Sequence, residues 1–195
     1  MNTRKNAIRG MGVGLAVALL FAFGVGGVKS MVGPTGEPQA VDSAMFVAGG
    51  MEAPAIDVSI AVNAPRGDVY NRFTTSDGWK KFMGTQADLD LRIGGQWEIY
   101  FDPNAKIGSN GCQVLSYVPD EMVSFSWNAP PKFSEERAKR TWVVVTFTDA
   151  AGGKSNVRLR QFGFATDGNW PEVKEYFVKA WPRVLDALKE SYEEK

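Results

Sequence analysis

The 195-residue chain contains no histidine and a single cysteine, Cys112. Without histidine there is no serine–histidine or cysteine–histidine nucleophile system, no imidazole metal site and no side chain that ordinarily titrates near neutrality. One cysteine excludes an intramolecular disulfide and any multi-cysteine zinc site. No cationic residue neighbours Cys112 in sequence, so its thiol reads as inert and buried. Net charge is also lacking, because 22 Lys and Arg balance 22 Asp and Glu. Such a chain offers no broad basic surface, which counts against nucleic acid as a partner. Acid is missing from residues 1–30, which carry Arg4, Lys5, Arg9 and Lys29.

Three of those basic residues precede an uncharged apolar stretch at 11–28. As a helix it would reach about 27 Å, close to the roughly 30 Å of a hydrocarbon core. Residues 1–30 therefore read as a cleaved signal peptide or an uncleaved N-terminal membrane anchor. Either keeps the basic end inside and places the remainder outside the cytoplasm, in the periplasm or beyond. Membrane contact is expected only through 11–28, and only if the segment is retained. Gly10, Gly12 and Gly14 mimic a dinucleotide fingerprint, but the context does not supply the strand, helix and acid that the motif needs. Residues 31–54 hold prolines and glycines without periodicity and read as a flexible linker. The globular domain is expected at 55–195.

That domain opens with Ile56, Val58, Ile60 and Val62 on alternate positions, a half-buried strand. Pro65 suits a helix start, and Val69, Tyr70 and Phe73 continue with helical spacing. A second short helix is predicted over 77–83, containing Trp79 and Phe82. Leu89, Leu91 and Ile93 alternate, as do Trp97, Ile99 and Phe101 beyond Gly94-Gly95. The glycine pair predicts a bend inside one strand, with a positive φ at one of the two or a Cβ excluded by Trp181 or its neighbours. Strands are predicted over 113–118 and 121–127 around Pro119-Asp120, and over 141–148 and 156–164 around the turn at 149–154. From Pro171 onward Val173, Tyr176, Phe177, Ala180, Trp181, Val184, Leu185, Leu188 and Tyr192 form an apolar stripe. This predicts a helix of about 20 residues with a kink at Pro182. The fold class is α+β: a curved antiparallel sheet wrapped around a long C-terminal helix, with two short helices after the first strand.

Several motifs occur in an order that resembles a known family. They are Asn63-Ala-Pro65, Trp79, Arg92-Ile-Gly-Gly-Gln-Trp97, Gly111-Cys-Gln-Val114, Tyr117-Val-Pro119, Val123-Ser-Phe-Ser-Trp127, and Tyr176-Phe177 with Trp181, Val184, Leu185 and Leu188. Residues 56–192 resemble the SRPBCC superfamily with its helix-grip fold. More narrowly they resemble the domain of the activator of the ninety-kilodalton heat-shock protein ATPase and its bacterial homologues. Two features depart from that pattern. Many bacterial relatives place a histidine near Gln161, and an export segment does not suit the partner of a cytosolic chaperone.

The resemblance implies a cavity between sheet and helix able to hold an apolar small molecule. Trp79, Phe82, Trp97, Ile99, Phe125, Trp127, Phe147, Tyr176 and Trp181 are the large residues expected to face that space, either filling it as core or lining a ligand site. Gln161 stands as a ligand hydrogen-bonding group or a plain surface amide. Glu98, Tyr100, Arg158 and Arg160 are expected to face solvent. The favoured reading is a noncatalytic, extracytoplasmic domain that binds an apolar or amphipathic small molecule. No cofactor, metal or catalytic residue is expected. The alternatives are a protein-interaction or chaperone-assisting module, and a histidine-free cyclase or hydrolase working through carboxylates, Tyr or Arg.

Overall fold

A computed structural model describes residues 55–102, 104 and 107–193. The expected signal or anchor and the linker lie outside these residues. No helix among the described residues is long and apolar enough to cross a membrane.

The elements in chain order are β1 (Ile56–Val62), α1 (Arg66–Thr74), α2 (Ser76–Met83), β2 (Gln86–Leu89), β3 (Trp97–Asp102), β4 (Ile107–Gly108), β5 (Val114–Val118) and β6 (Met122–Trp127). They are followed by α3 (Ser134–Ala138), β7 (Thr141–Ala150), β8 (Lys154–Phe162) and α4 (Trp170–Glu190). Antiparallel strands β1-β8-β7-β6-β5 form one sheet and β2-β3-β4 another. The two are stitched by a Gln96–Gln113 bridge and by Trp97 N–H donating to the Cys112 carbonyl at 2.8 Å. The sheet so continued curves around α4, which lays Val173, Phe177, Trp181, Val184, Leu185 and Leu188 against it.

Local chemistry explains the element ends. Pro65 caps α1, where a missing N–H costs nothing. The Thr75 hydroxyl accepts the Gly78 amide at the start of α2, satisfying a donor that has no partner within the helix. Helix α4 runs unbroken through Pro182. The ring removes one donor from its ladder, and the carbonyl it deserts, four residues back at Val178, belongs to an exposed residue that water can serve. The far end of α4 clasps α1. Arg72 donates to the Ser191 carbonyl and hydroxyl and lies over the Tyr192 ring, while the Tyr192 hydroxyl donates to the Asp68 carbonyl.

The centre of the core is aromatic. Phe73 lies 5.3 Å from Trp79, 5.9 Å from Phe147 and 6.2 Å from Trp97 between ring centroids, with Phe82 and Phe125 just beyond. Trp97 and Phe125 stack across β3 and β6 at 4.3 Å. Such offset and edge-on contacts add roughly 0.5–1.5 kcal/mol each beyond burial.

Four sequence expectations need correction. The alternation Leu89, Leu91, Ile93 is not a strand: β2 ends at Leu89, the chain turns through 90–95, and Ile93 is 74% exposed. Gly94-Gly95 therefore sits in the β2–β3 connection, not inside a strand. Gly94 has a φ of +76°, and a Cβ on Gly95 would meet the Asp90 carbonyl oxygen at 2.1 Å, not Trp181. Tyr100 is buried rather than solvent-facing, because Asp88 and Glu98 close over its hydroxyl. The short elements β4 and α3 carry no periodic signal and were not anticipated.

Candidate functional site

Where β3 and β6 run past the covered part of the core, their next inward residues are Phe101 and Trp127. After β6 the chain continues through Asn128, Ala129, Pro130 and Pro131, where consecutive prolines end strand pairing. The adjoining α3 turns back and presents Arg137. Its guanidinium donates to the Ala129 carbonyl at 2.5 Å, the Gly108 carbonyl at 2.6 Å and Asn110 Oδ1 at 3.3 Å. That tie joins the 128–131 segment to β4. Opposite, the first turns of α4 supply Tyr176 and Phe177.

These pieces enclose a cleft of about 350 Å³, walled by Phe101, Ile107, Trp127, Pro130, Tyr176 and Phe177, with Asp102, Ser109, Asn128 and Arg137 as polar members. The volume lies at the lower end for ligand pockets. A smaller recess of about 60 Å³ shares Phe101, Trp127, Tyr176 and Phe177 and extends to Ala180, Trp181 and Val184. Phe101 and Trp127 meet edge to face at 6.4 Å, and Trp127 lies 5.1 Å from Trp181. Three large apolar side chains on the rim stay open to water: Phe101 at 47%, Tyr176 at 46% and Ile107 at 41%. The Trp127 indole nitrogen, though buried, has no protein hydrogen-bond partner. Two roomier clefts, about 420 and 510 Å³, have mixed acidic and basic walls.

The structure divides the expected site residues. Trp79, Phe82, Trp97, Ile99, Phe125 and Phe147 belong to the packed core around Phe73 and do not reach the cleft. Trp127 and Tyr176 line the main cleft, and Trp181 lines only its recess. Gln161 is neither a surface amide nor available to a ligand. It is 0% exposed, accepts from Trp181 Nε1 at 2.6 Å and donates to Thr141 Oγ1 at 2.8 Å. The Thr141 hydroxyl donates a hydrogen bond to the Trp127 carbonyl at 3.0 Å. A buried relay thus runs from α4 through β8 and β7 to β6.

Residues that sequence reasoning missed include Phe101, Ile107, Phe177 and Arg137. Phe101 continues the Trp97–Ile99 alternation and was legible. Arg137 was not, since its role depends on contacts with Gly108 and Asn110, nearly 30 positions away.

Two other groups bear on catalysis. Tyr100 donates toward Asp88 Oδ2 at 2.9 Å and Glu98 Oε2 at 2.7 Å, so one phenolic proton serves two carboxylates outside the cleft. The hydrogen bond to Glu98, aided by burial and Asp88, holds the phenol well above its ordinary titration range. Burial also pushes the Cys112 thiol up to about 11, overriding the nearby charges of Arg140 and Arg137. Neither group is an activated nucleophile.

An antiparallel sheet curved around a long C-terminal helix, with two short helices after the first strand, defines a helix-grip protein of the SRPBCC superfamily. The model of the family "Activator of Hsp90 ATPase homolog 1-like protein" matches residues 63–193. The chain belongs to that family. No curated protein matches its sequence. Among solved structures, protein MLL2253 from Mesorhizobium loti is similar at 18% identity and a TM-score of 0.57, over 70% of this chain and 96% of that one. The Aha1 dimer from Colwellia psychrerythraea is similar at 18% identity and 0.56, over 71% and 95%. PFC0360w, an HSP90 activator from Plasmodium falciparum, is similar at 16% identity and 0.52, over 66% and 87%. At these identities the likeness establishes the fold.

Proposed function

We propose that this domain is a noncatalytic binding module that takes an apolar or amphipathic small molecule into the cleft between β3, β6 and α4. We place it outside the cytoplasm, on the strength of the basic and apolar N-terminal pattern. The observation that carries the binding reading is the aromatic cleft itself, with Phe101, Ile107 and Tyr176 held half-open to water beside Trp127. Leaving such surface exposed forgoes about 25 cal/mol for each Å² that a ligand would cover.

Titration of the full chain with the neutral dye N-phenyl-1-naphthylamine tests this. The dye should saturate one site, and Phe101→Asp and Tyr176→Asp should each weaken it at least tenfold. Both positions are exposed, so folding should survive. They also separate the cleft from any binding by the apolar run at 11–28. Affinity unchanged in both variants would overturn the reading.

The same open rim supports a second reading, in which the cleft receives an apolar side chain of a partner protein. The family's name and the description of the Plasmodium falciparum neighbour as an HSP90 activator favour it. It requires that the dye be displaced by a folded partner and not by small amphiphiles.

A further inference from the structure

The polar groups on the cleft wall are unevenly satisfied. Ser109 Oγ accepts the Ile99 amide and donates to the Trp97 carbonyl, so its hydroxyl is committed. Asn128 Nδ2 donates to the Asn110 carbonyl. Arg137 is different. A guanidinium has five N–H donors, and the three contacts of Arg137 go to neutral oxygens of Ala129, Gly108 and Asn110. Among the described residues no carboxylate pairs with it. Its near neighbour in charge is another cation, Arg140, whose own guanidinium donates to the Arg137 carbonyl. Burial and that like charge both disfavour the charged form of Arg137. A partly buried guanidinium without an anion, beside an aromatic wall, is electrostatically incomplete.

We propose that the cleft selects amphipathic acids, whose apolar body lies on Phe101, Trp127, Tyr176 and Phe177 and whose single anionic head is held by Arg137. The inference rests on the ligand-binding reading above and names the ligand's chemistry. Asp102, exposed at the end of β3, is the one acid among the described lining residues. Discrimination is assigned to direct contact with the guanidinium, which salt screens less than long-range attraction.

Displacement of N-phenyl-1-naphthylamine from the full chain at pH 7 compares dodecanoate with dodecanol, which share one chain and differ in the head. In the wild-type protein dodecanoate should displace the dye at a concentration at least tenfold lower. In Arg137→Gln that ratio should fall to about one. Equal potency in the wild type, with the dye still bound, would overturn acid selection and leave the cleft as a neutral apolar site. Failure of the dye to bind would instead refute the earlier reading. A tenfold preference that survives in Arg137→Gln would remove Arg137 as the holder of the head. Should the Gln variant not fold, the carboxyl carbon of bound, 13C-labelled dodecanoate decides in the wild type. Titration below the free acid supports contact with the guanidinium, and titration at or above it refutes that contact.

Discussion

The relay Trp181–Gln161–Thr141–Trp127 offers a quantitative test of how α4 is held. All four residues are buried, and each polar atom of Gln161 has one partner. Trp181→Phe removes the indole N–H and strands the buried Gln161 Oε1. An orphaned buried acceptor costs roughly 1–3 kcal/mol, and the lost ring atoms add a cavity penalty of similar size. Gln161→Leu keeps approximate volume but strands the indole N–H, again at about 1–3 kcal/mol, partly offset by the gain in apolar burial. In the double variant neither group is left to be stranded. Its destabilisation should therefore fall short of the sum of the single ones by both stranding penalties, about 2–6 kcal/mol. Urea unfolding of all four proteins, monitored by tryptophan fluorescence and by circular dichroism, yields this coupling. Free energies additive to within about 0.5 kcal/mol would refute the relay as an energetic unit.

Gly95→Ala should destabilise more than Gly94→Ala in thermal melts. The first places a Cβ against the Asp90 carbonyl, whereas the second meets open space and incurs only left-handed strain, roughly 1–2 kcal/mol. The reverse order would refute the reading of this turn. Glu98 is raised most by burial, yet the Gly111 amide, the Tyr100 hydroxyl and Gln96 together hold it below its ordinary value. A carboxyl lowered on folding contributes stability above its unfolded pKa and loses it as pH falls through the folded one. The deficit of Glu98→Gln at pH 7 should therefore shrink below about pH 4, and a deficit constant from pH 3 to 7 would count against it.

What could be read from the sequence follows periodicity. Strand β1 and helix α4 bury one face each, so spacings of two and of three to four residues survive in the chain. Leu89, Leu91 and Ile93 mimic the first pattern. There Arg92 N–H bonds to the Asp90 carbonyl and Gly95 N–H to that of Arg92, which reverses the chain and turns Ile93 to water. Tyr100 shows the converse: an outward strand position becomes buried because Asp88, on the neighbouring strand, bonds its hydroxyl. The aromatics were identifiable as a set, but not their division into core and cleft. That division depends on which of them pack around Phe73 and which meet Tyr176 and Phe177 near the start of α4. Arg137 left no local trace at all.

The clasp between the two ends of the domain has a kinetic consequence. Asp57 pairs with Arg158 across 101 positions, and Arg72 meets Ser191 across 119. Among the described residues strand β1 pairs with β8 alone, the last strand of the sheet. During synthesis β1 therefore waits for β8, and α1 for the segment after α4, although α1 and α2 already meet through Phe73 and Trp79. Contacts of this range slow folding relative to a domain built from local contacts. Closure of the last helical turn onto α1 is thus a late event in the life of the chain.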